Sequence, residues 1–171
     1  GRGPNVLVVR ADSPYKSVGD VIAAARAKGS RLTYASQGNG TSAHLAGEMF
    51  TNLAKVEMVH VPYRGAGPAI TDLIGGQVPI SFDTNIASVP QMKAGKVKVL
   101  AVTTAQRISG APEVPTLAES GLAGFELSAW VSFVAPRGLP EGVRATLVKA
   151  LAEAIKTPAL QADLAKSGLE V

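Results

Sequence analysis

The sequence predicts an α/β fold built on a mostly parallel open sheet with helices on both faces, and three observations lead to it. Short apolar strand patterns alternate with amphipathic helix patterns between Val6 and Thr103, the order in which a chain lays down parallel strands through helical crossovers. The first strand pattern, Val6-Leu7-Val8-Val9, is continuously apolar, which suits a strand covered on two sides. Polar turns follow most of the strand patterns, the richest being Ala35-Ser36-Gln37-Gly38-Asn39-Gly40-Thr41-Ser42.

The elements are justified in order. After the first strand, Ser17 reads as an N-cap for a helix carrying Val18, Val21, Ile22 and Ala25 and closing at Gly29. Leu32-Thr33-Tyr34-Ala35 is the next strand, and Leu45, Ala46, Met49, Phe50 and Leu53 then recur at helical spacing. A strand rich in β-branched residues is expected over 56–61, a short helix through Ile70, Leu73 and Ile74 closed by Gly75-Gly76, and a strand over 79–83. Ile86, Val89 and Met92 mark a helix that Pro90 is expected to kink or shorten. The cleanest alternation lies over 96–103; a surface connection follows over 106–115, then a long extended stretch over 125–135 and two helices, 141–156 and 158–167.

Composition narrows the function classes. The chain has 171 residues, of which 46% are hydrophobic and 18% charged, so it can bury a core. No apolar run approaches the roughly 18 residues of a membrane span, so the chain is not expected to be embedded in a membrane. The net charge of +4 is scattered and aromatic residues make up only 5%, which argues against nucleic acid as a partner. There is no cysteine, which excludes disulfides and thiolate ligands, and two histidines without suitable spacing do not suggest a metal.

In an open parallel sheet, ligands gather beyond the carboxyl ends of the strands. The residues there are Ser36 to Ser42, then Tyr63, Arg64 and Gly65, then Asp83, and finally Thr103 and Thr104. Two glycines let a backbone approach a ligand closely, and a helix beginning just behind them offers unpaired N–H groups and its positive dipole end. The 36–42 turn therefore reads as an anion socket. Gly38, Gly40 and Ala43 also fit a dinucleotide fingerprint, but Pro62, Tyr63 and Arg64 stand where its ribose-binding acid belongs. A dinucleotide-binding oxidoreductase is thus one alternative. No P-loop, paired carboxylates or nucleophile elbow accompanies it. His44 with Glu48 reads as a surface pair, and His60 as a strand residue hydrogen-bonded to a neighbour.

The ordered motifs, from Ser36-Gln37-Gly38-Asn39-Gly40-Thr41-Ser42-Ala43-His44 through Val59-His60-Val61-Pro62-Tyr63-Arg64-Gly65, Gly75-Gly76-Gln77-Val78 and Phe82-Asp83 to Ala135-Pro136-Arg137-Gly138-Leu139-Pro140, resemble the Bug family. These are the extracytoplasmic receptors of tripartite tricarboxylate transporters. The resemblance implies one lobe of a type II periplasmic-binding-protein-like fold: residues 4–126 as the family's second, ligand-binding lobe, and 127–171 as a hinge strand and helices returning to a first lobe that is largely missing. It implies a periplasmic receptor without catalysis, cofactor or metal, taking a small carboxylated solute and delivering it to membrane permease subunits. Its ligand-binding candidates are Ser36, Gly38, Asn39, Gly40, Thr41 and Ser42 for one carboxylate, with Tyr63, Arg64, Gly65 and Asp83 lining the cleft. The effector lobe of a cytoplasmic transcription regulator, which shares the architecture, is a further alternative.

Overall fold

A computed structural model describes residues 2–108, 110–166 and 169. The elements run β1 (Arg2–Arg10), α1 (Val18–Arg26), β2 (Thr33–Ser36), α2 (Ser42–Ala54), β3 (Val59–Pro62), α3 (Ala66–Ile74), β4 (Ile80–Thr84), α4 (Asn85–Lys93), β5 (Val97–Val102), β6 (Ser128–Trp130), α5 (Glu141–Ile155) and α6 (Pro158–Lys166). Ser167, the expected end of the last helix, and Ser109 in the expected 106–115 connection lie outside the described residues.

The sheet order is β3-β2-β4-β1-β5, with β6 on β1. β2 is parallel to β3 and β4, whereas β1 is antiparallel to β4, β5 and β6. Five strands, β2 to β6, thus share one direction, and the first strand runs against them in their midst. The α/β sheet with helices on both faces is present, and its mixed character is the difference from expectation. Apolar periodicity reports burial and carries no strand direction, so Val6-Leu7-Val8-Val9 reads the same either way.

Alternation along β1 divides the interior. Leu7 and Val9 belong to one core with Val18 and Val21 of α1 and Ala43, Ala46 and Phe50 of α2. Val6 and Val8 belong to the other, with Ala69, Ile70 and Leu73 of α3 and, packed against it, Met92 of α4. The side chains of Val6, Leu7, Val8 and Val9 are each fully enclosed, so this stretch of the strand has no solvent face to which it could slip by one residue.

Other differences are local. β3 starts at Val59 because α2 runs on to Ala54 and ends on Lys55 at φ 53°, with the Val56 N–H bonded to the Thr51 carbonyl. Pro90 neither shortens nor ends α4, which runs through it. Of the extended 125–135 stretch only Ser128–Trp130 is strand, because its ladder partners are Arg2, Gly3 and Pro4 alone. α5 buries none of its residues and leaves Val143, Leu147 and Val148 exposed, and Trp130, Phe133 and Val134 are exposed before it.

Helix α2 approaches the sheet closely at Gly47. A Cβ there would sit 2.2 Å from the Tyr34 ring, which is itself completely buried. Gly47→Ala must therefore displace a ring in a packed core, and the expected loss is about 1–3 kcal/mol, read as a lower urea midpoint at unchanged slope. An unaltered midpoint would mean that α2 is not seated on Tyr34.

Candidate functional site

The parallel strands β2, β3 and β4 each lead directly into a helix, so the N-termini of α2, α3 and α4 meet at one edge of the sheet. None of the three helices has an acidic residue in its first turn, which leaves their positive dipole ends uncancelled. The reversed direction of β1 brings the start of that strand to the same edge, with Asn5 opposite Thr84. Thr103, just past β5, ties in there. Its N–H donates to the Asn5 carbonyl at 2.9 Å, its hydroxyl accepts the Asn5 N–H at 3.0 Å, and that hydroxyl donates to Leu127 at 2.7 Å.

The 36–42 turn is held by its own groups. The Tyr63 N–H donates to the Ser36 carbonyl and the Gly65 N–H to that of Gln37, so the β2 and β3 loops stay paired beyond their strands. Gly38 has φ +132°, and a Cβ on it would lie 3.1 Å from the Tyr63 carbonyl oxygen, so the close approach needs glycine. Thr41 caps α2: its Oγ1 accepts the His44 N–H at 3.3 Å while its hydroxyl donates to the Gly38 carbonyl at 2.8 Å. The Ser36 Oγ accepts the Gly38 N–H at 3.1 Å, and the Gly40 N–H donates to His44 Nδ1 at 3.0 Å.

Ser36, Gly38, Gly40 and Thr41 thus spend these groups on building the turn. What remains open is different. The first-turn N–H groups of Ser42 and Ala43 have no acceptor among the described residues, the usual condition of a helix start, and Asn39 is exposed beside them. The Ser42 hydroxyl donates to Asn5 Oδ1 at 3.2 Å.

Asp83 is fully buried, and both its oxygens are engaged: Oδ1 accepts from Gln37 Nε2 at 2.6 Å and the Thr84 N–H at 2.8 Å, and Oδ2 from Ser88 at 3.1 Å. Burial pushes its carboxyl above the usual carboxylate range, against the pull of those three donors. Asp83 therefore acts through Gln37, clamping the turn to β4. Tyr63 donates to Asp72 at 2.8 Å, and burial together with that carboxylate pushes its phenol up to about 12. Gly65 starts α3 at φ +108°, and Arg64 is exposed.

Two features at this edge escape a residue-by-residue reading of the chain. Asn5 is completely buried, and its Nδ2 has no partner among the described residues; the signal for it was an amide standing immediately before an apolar strand. His44 and His60 stack with ring centroids 3.9 Å apart and planes 10° from parallel. His60 Nε2 lies 2.6 Å from Ser36 Oγ, in keeping with the expected neighbour bond, and His44 Nε2 lies 3.7 Å from Glu48.

A depression of about 610 Å³ opens near the opposite edge among Lys16, Ser17, Lys98 and Glu113. Several of its polar groups are paired within the chain: Asp20 accepts the Lys16 and Ser17 N–H groups at the start of α1, Lys98 donates to the Ser13 carbonyl, and Ser120 donates to the Thr116 carbonyl. It offers no convergent set of donors.

Comparison with known proteins gives the family. The model of the tripartite tricarboxylate transporter family receptor matches residues 1–171. A UPF0065 protein from the tcbD-tcbE intergenic region of Pseudomonas sp. strain P51 is 40% identical over 98% of this chain and 50% of its own length. Among solved structures, Rpa4515 of R. palustris with adipate is 36% identical with a TM-score of 0.92, over 98% of this chain and 56% of that one. MatC from Rhodopseudomonas palustris with bound malate is 32% identical with a TM-score of 0.89, over 98% and 57%. The chain spans about half the length of the curated relatives it matches. With a family model matched along its whole length, the chain belongs to the tripartite tricarboxylate transporter receptor family.

Proposed function

We propose that this chain supplies one jaw of a periplasmic receptor that captures a small organic acid through one of its carboxylates. The observation that carries the proposal is the open pair of N–H groups at Ser42 and Ala43, at the start of a helix with no acidic residue in its first turn and behind a turn already fixed by internal bonds. A carboxylate placed there accepts two donors and faces the dipole end of α2, with those of α3 and α4 converging on the same edge. The complexes of two family members with adipate and malate support an organic acid as the ligand class. The family is one of solute-binding receptors, so the glycine pattern at Gly38, Gly40 and Ala43 serves the turn and not a dinucleotide.

In this proposal Ser36, Gly38, Gly40, Thr41 and Asp83 shape the pocket wall. Asn39, Ser42, Tyr63, Arg64 and Gly65 line it, with Asn5 as an added donor. Residues 4–126 form the ligand-binding lobe, and 127–171 carry the chain back toward a second lobe. The exposed apolar side chains Val143, Leu147 and Val148 on α5 support that division, because an amphipathic helix leaves such a stripe bare only where another surface covers it. The closed, loaded receptor then hands its solute to membrane permease subunits.

Two measurements test this. In the protein carrying both lobes, at least one di- or tricarboxylate at a hundredfold excess over its Kd should contribute about 2.7 kcal/mol, a rise of several degrees in Tm; a broad carboxylate panel that moves nothing would overturn the ligand class. Ser42→Pro removes one of the two open N–H groups at the first helical position, where proline is tolerated, and the preceding Thr41 already has the extended backbone (φ −70°, ψ 160°) that proline requires. Its Tm should stay within a few degrees of the parent while carboxylate affinity falls roughly tenfold or more, the worth of a charge-assisted hydrogen bond. Undiminished binding by a folded Ser42→Pro protein would place the ligand elsewhere.

A further inference from the structure

The stacked histidines join the 36–42 turn to two elements at once. From α2, His44 Nδ1 accepts the Gly40 N–H, which fixes His44 as the neutral tautomer carrying its proton on Nε2, toward Glu48. From β3, His60 Nε2 shares a 2.6 Å hydrogen bond with Ser36 Oγ, the atom that also receives the Gly38 N–H. Tyr34 of β2 stacks on His60 with centroids 5.0 Å apart and donates its hydroxyl to Glu48 at 2.5 Å. Two imidazoles thus add hydrogen bonds to the turn at Ser36 and Gly40, on either side of Gly38.

We propose that His44 and His60 are positioning residues for the carboxylate turn, holding it in its binding shape only while both rings are neutral, so that the receptor's grip on its solute loosens in acid. The proposal deepens the reading of this edge as a carboxylate site and rests on it. The mechanism is a loss of acceptors. A proton on His44 Nδ1 sets one N–H against another at Gly40 and forfeits that bond. A proton on His60 makes Nε2 an obligatory donor, so Ser36 Oγ becomes its acceptor and the Ser36 hydroxyl is confined to the Gly38 carbonyl, 3.2 Å away, as the acceptor for its own hydrogen. Two imidazolium rings 3.9 Å apart also repel.

The titratable groups facing the pair are Glu48 from α2 and Tyr34 from β2. Glu48 draws protons toward the rings but supplies no acceptor to Gly40. Burial first, and then the neighbouring His44, push His60 below the ordinary imidazole range, with Glu48 opposing them. The sign follows from proton counting. A base held below its unfolded value takes up its proton later in the folded chain than in the unfolded one. Its contribution to stability is thus complete above about pH 6.5 and declines as pH falls below that.

The decisive experiment needs no ligand. In ¹H–¹⁵N spectra of this chain between about pH 8 and pH 5, the Gly40 amide resonance should move with the same midpoint as the His44 ring protons. His44→Asn places an amide oxygen where Nδ1 stood, keeping the acceptor but removing the titration, and its Gly40 resonance should stay near the parent's alkaline position. His60→Gln, whose amide reaches the Nε2 position, should retain the alkaline shifts of Ser36 and Gly38 and is the second test if His44→Asn does not fold. A parent Gly40 resonance that does not follow the His44 ring protons, or an identical Gly40 titration in folded His44→Asn, would overturn the proposal. With adipate as the probe, shift titrations should give roughly fivefold weaker binding at about pH 6 than at about pH 8 in the parent, the worth of one hydrogen bond. The ratio should fall in His44→Asn, where His60 still titrates, and stay near one in the double variant His44→Asn, His60→Gln, which also controls for adipate's own ionisation. Binding that tightens in acid in the parent alone would count against the proposal. Absence of adipate binding at either pH in the protein carrying both lobes would count against adipate as its solute, while the ligand-free titration still decides the histidines.

Discussion

Val6, Leu7, Val8 and Val9 point alternately into two separate cores, and that double enclosure holds β1 in register against β4 on one side and β5 on the other. Nothing at the candidate site is independent of it. Because β1 runs against its neighbours, its opening residues arrive where the other strands end, and Asn5 reaches Thr84, Thr103 and Ser42 together. A one-residue slip would carry Asn5 away from all three and turn valines and leucine into the wrong cores, so the packing of the interior and the geometry of the edge are one constraint.

The turn at 36–42 shows how rigidity can be separated from recognition. Most of its polar groups satisfy each other or neighbouring loops, and Asp83 grips it through Gln37 from below. Such a turn needs little reordering when a ligand arrives, which preserves affinity that a loose loop would lose to entropy. The donors left over sit at the helix start, where backbone geometry alone leaves N–H groups unpaired. Recognition through backbone N–H groups discriminates by charge and shape more than by side-chain identity, which suits a family whose members are found with acids as different as adipate and malate.

Local features were legible in the sequence because their causes are local. The glycine turn, the helix it opens, the order of strands and helices and the edge where the candidate residues collect all follow from residues near one another in the chain. The motifs also sufficed for the family resemblance. What was not legible depends on partners far apart. Strand direction leaves no trace in periodicity, so the reversal of β1 and the arrival of Asn5 were hidden. His44 and His60 are sixteen positions apart, on a helix and a strand that meet only through parallel pairing of β2 and β3. Which donors of the turn are spent and which are open is likewise a property of the folded loop. Ser36, Gly38, Gly40 and Thr41 looked like ligand donors for the same reason that they make good turn builders.

Trp130 is the sole tryptophan of the chain, and its side chain stands 76% exposed on β6 beside the start of β1. Its indole therefore reports on one place only. Emission from a water-exposed indole lies to the red, and it moves to the blue when a surface closes over the ring. In the proposed two-lobed receptor, this exposed indole would serve as an internal optical gauge, able to follow the docking of the other lobe without any added label.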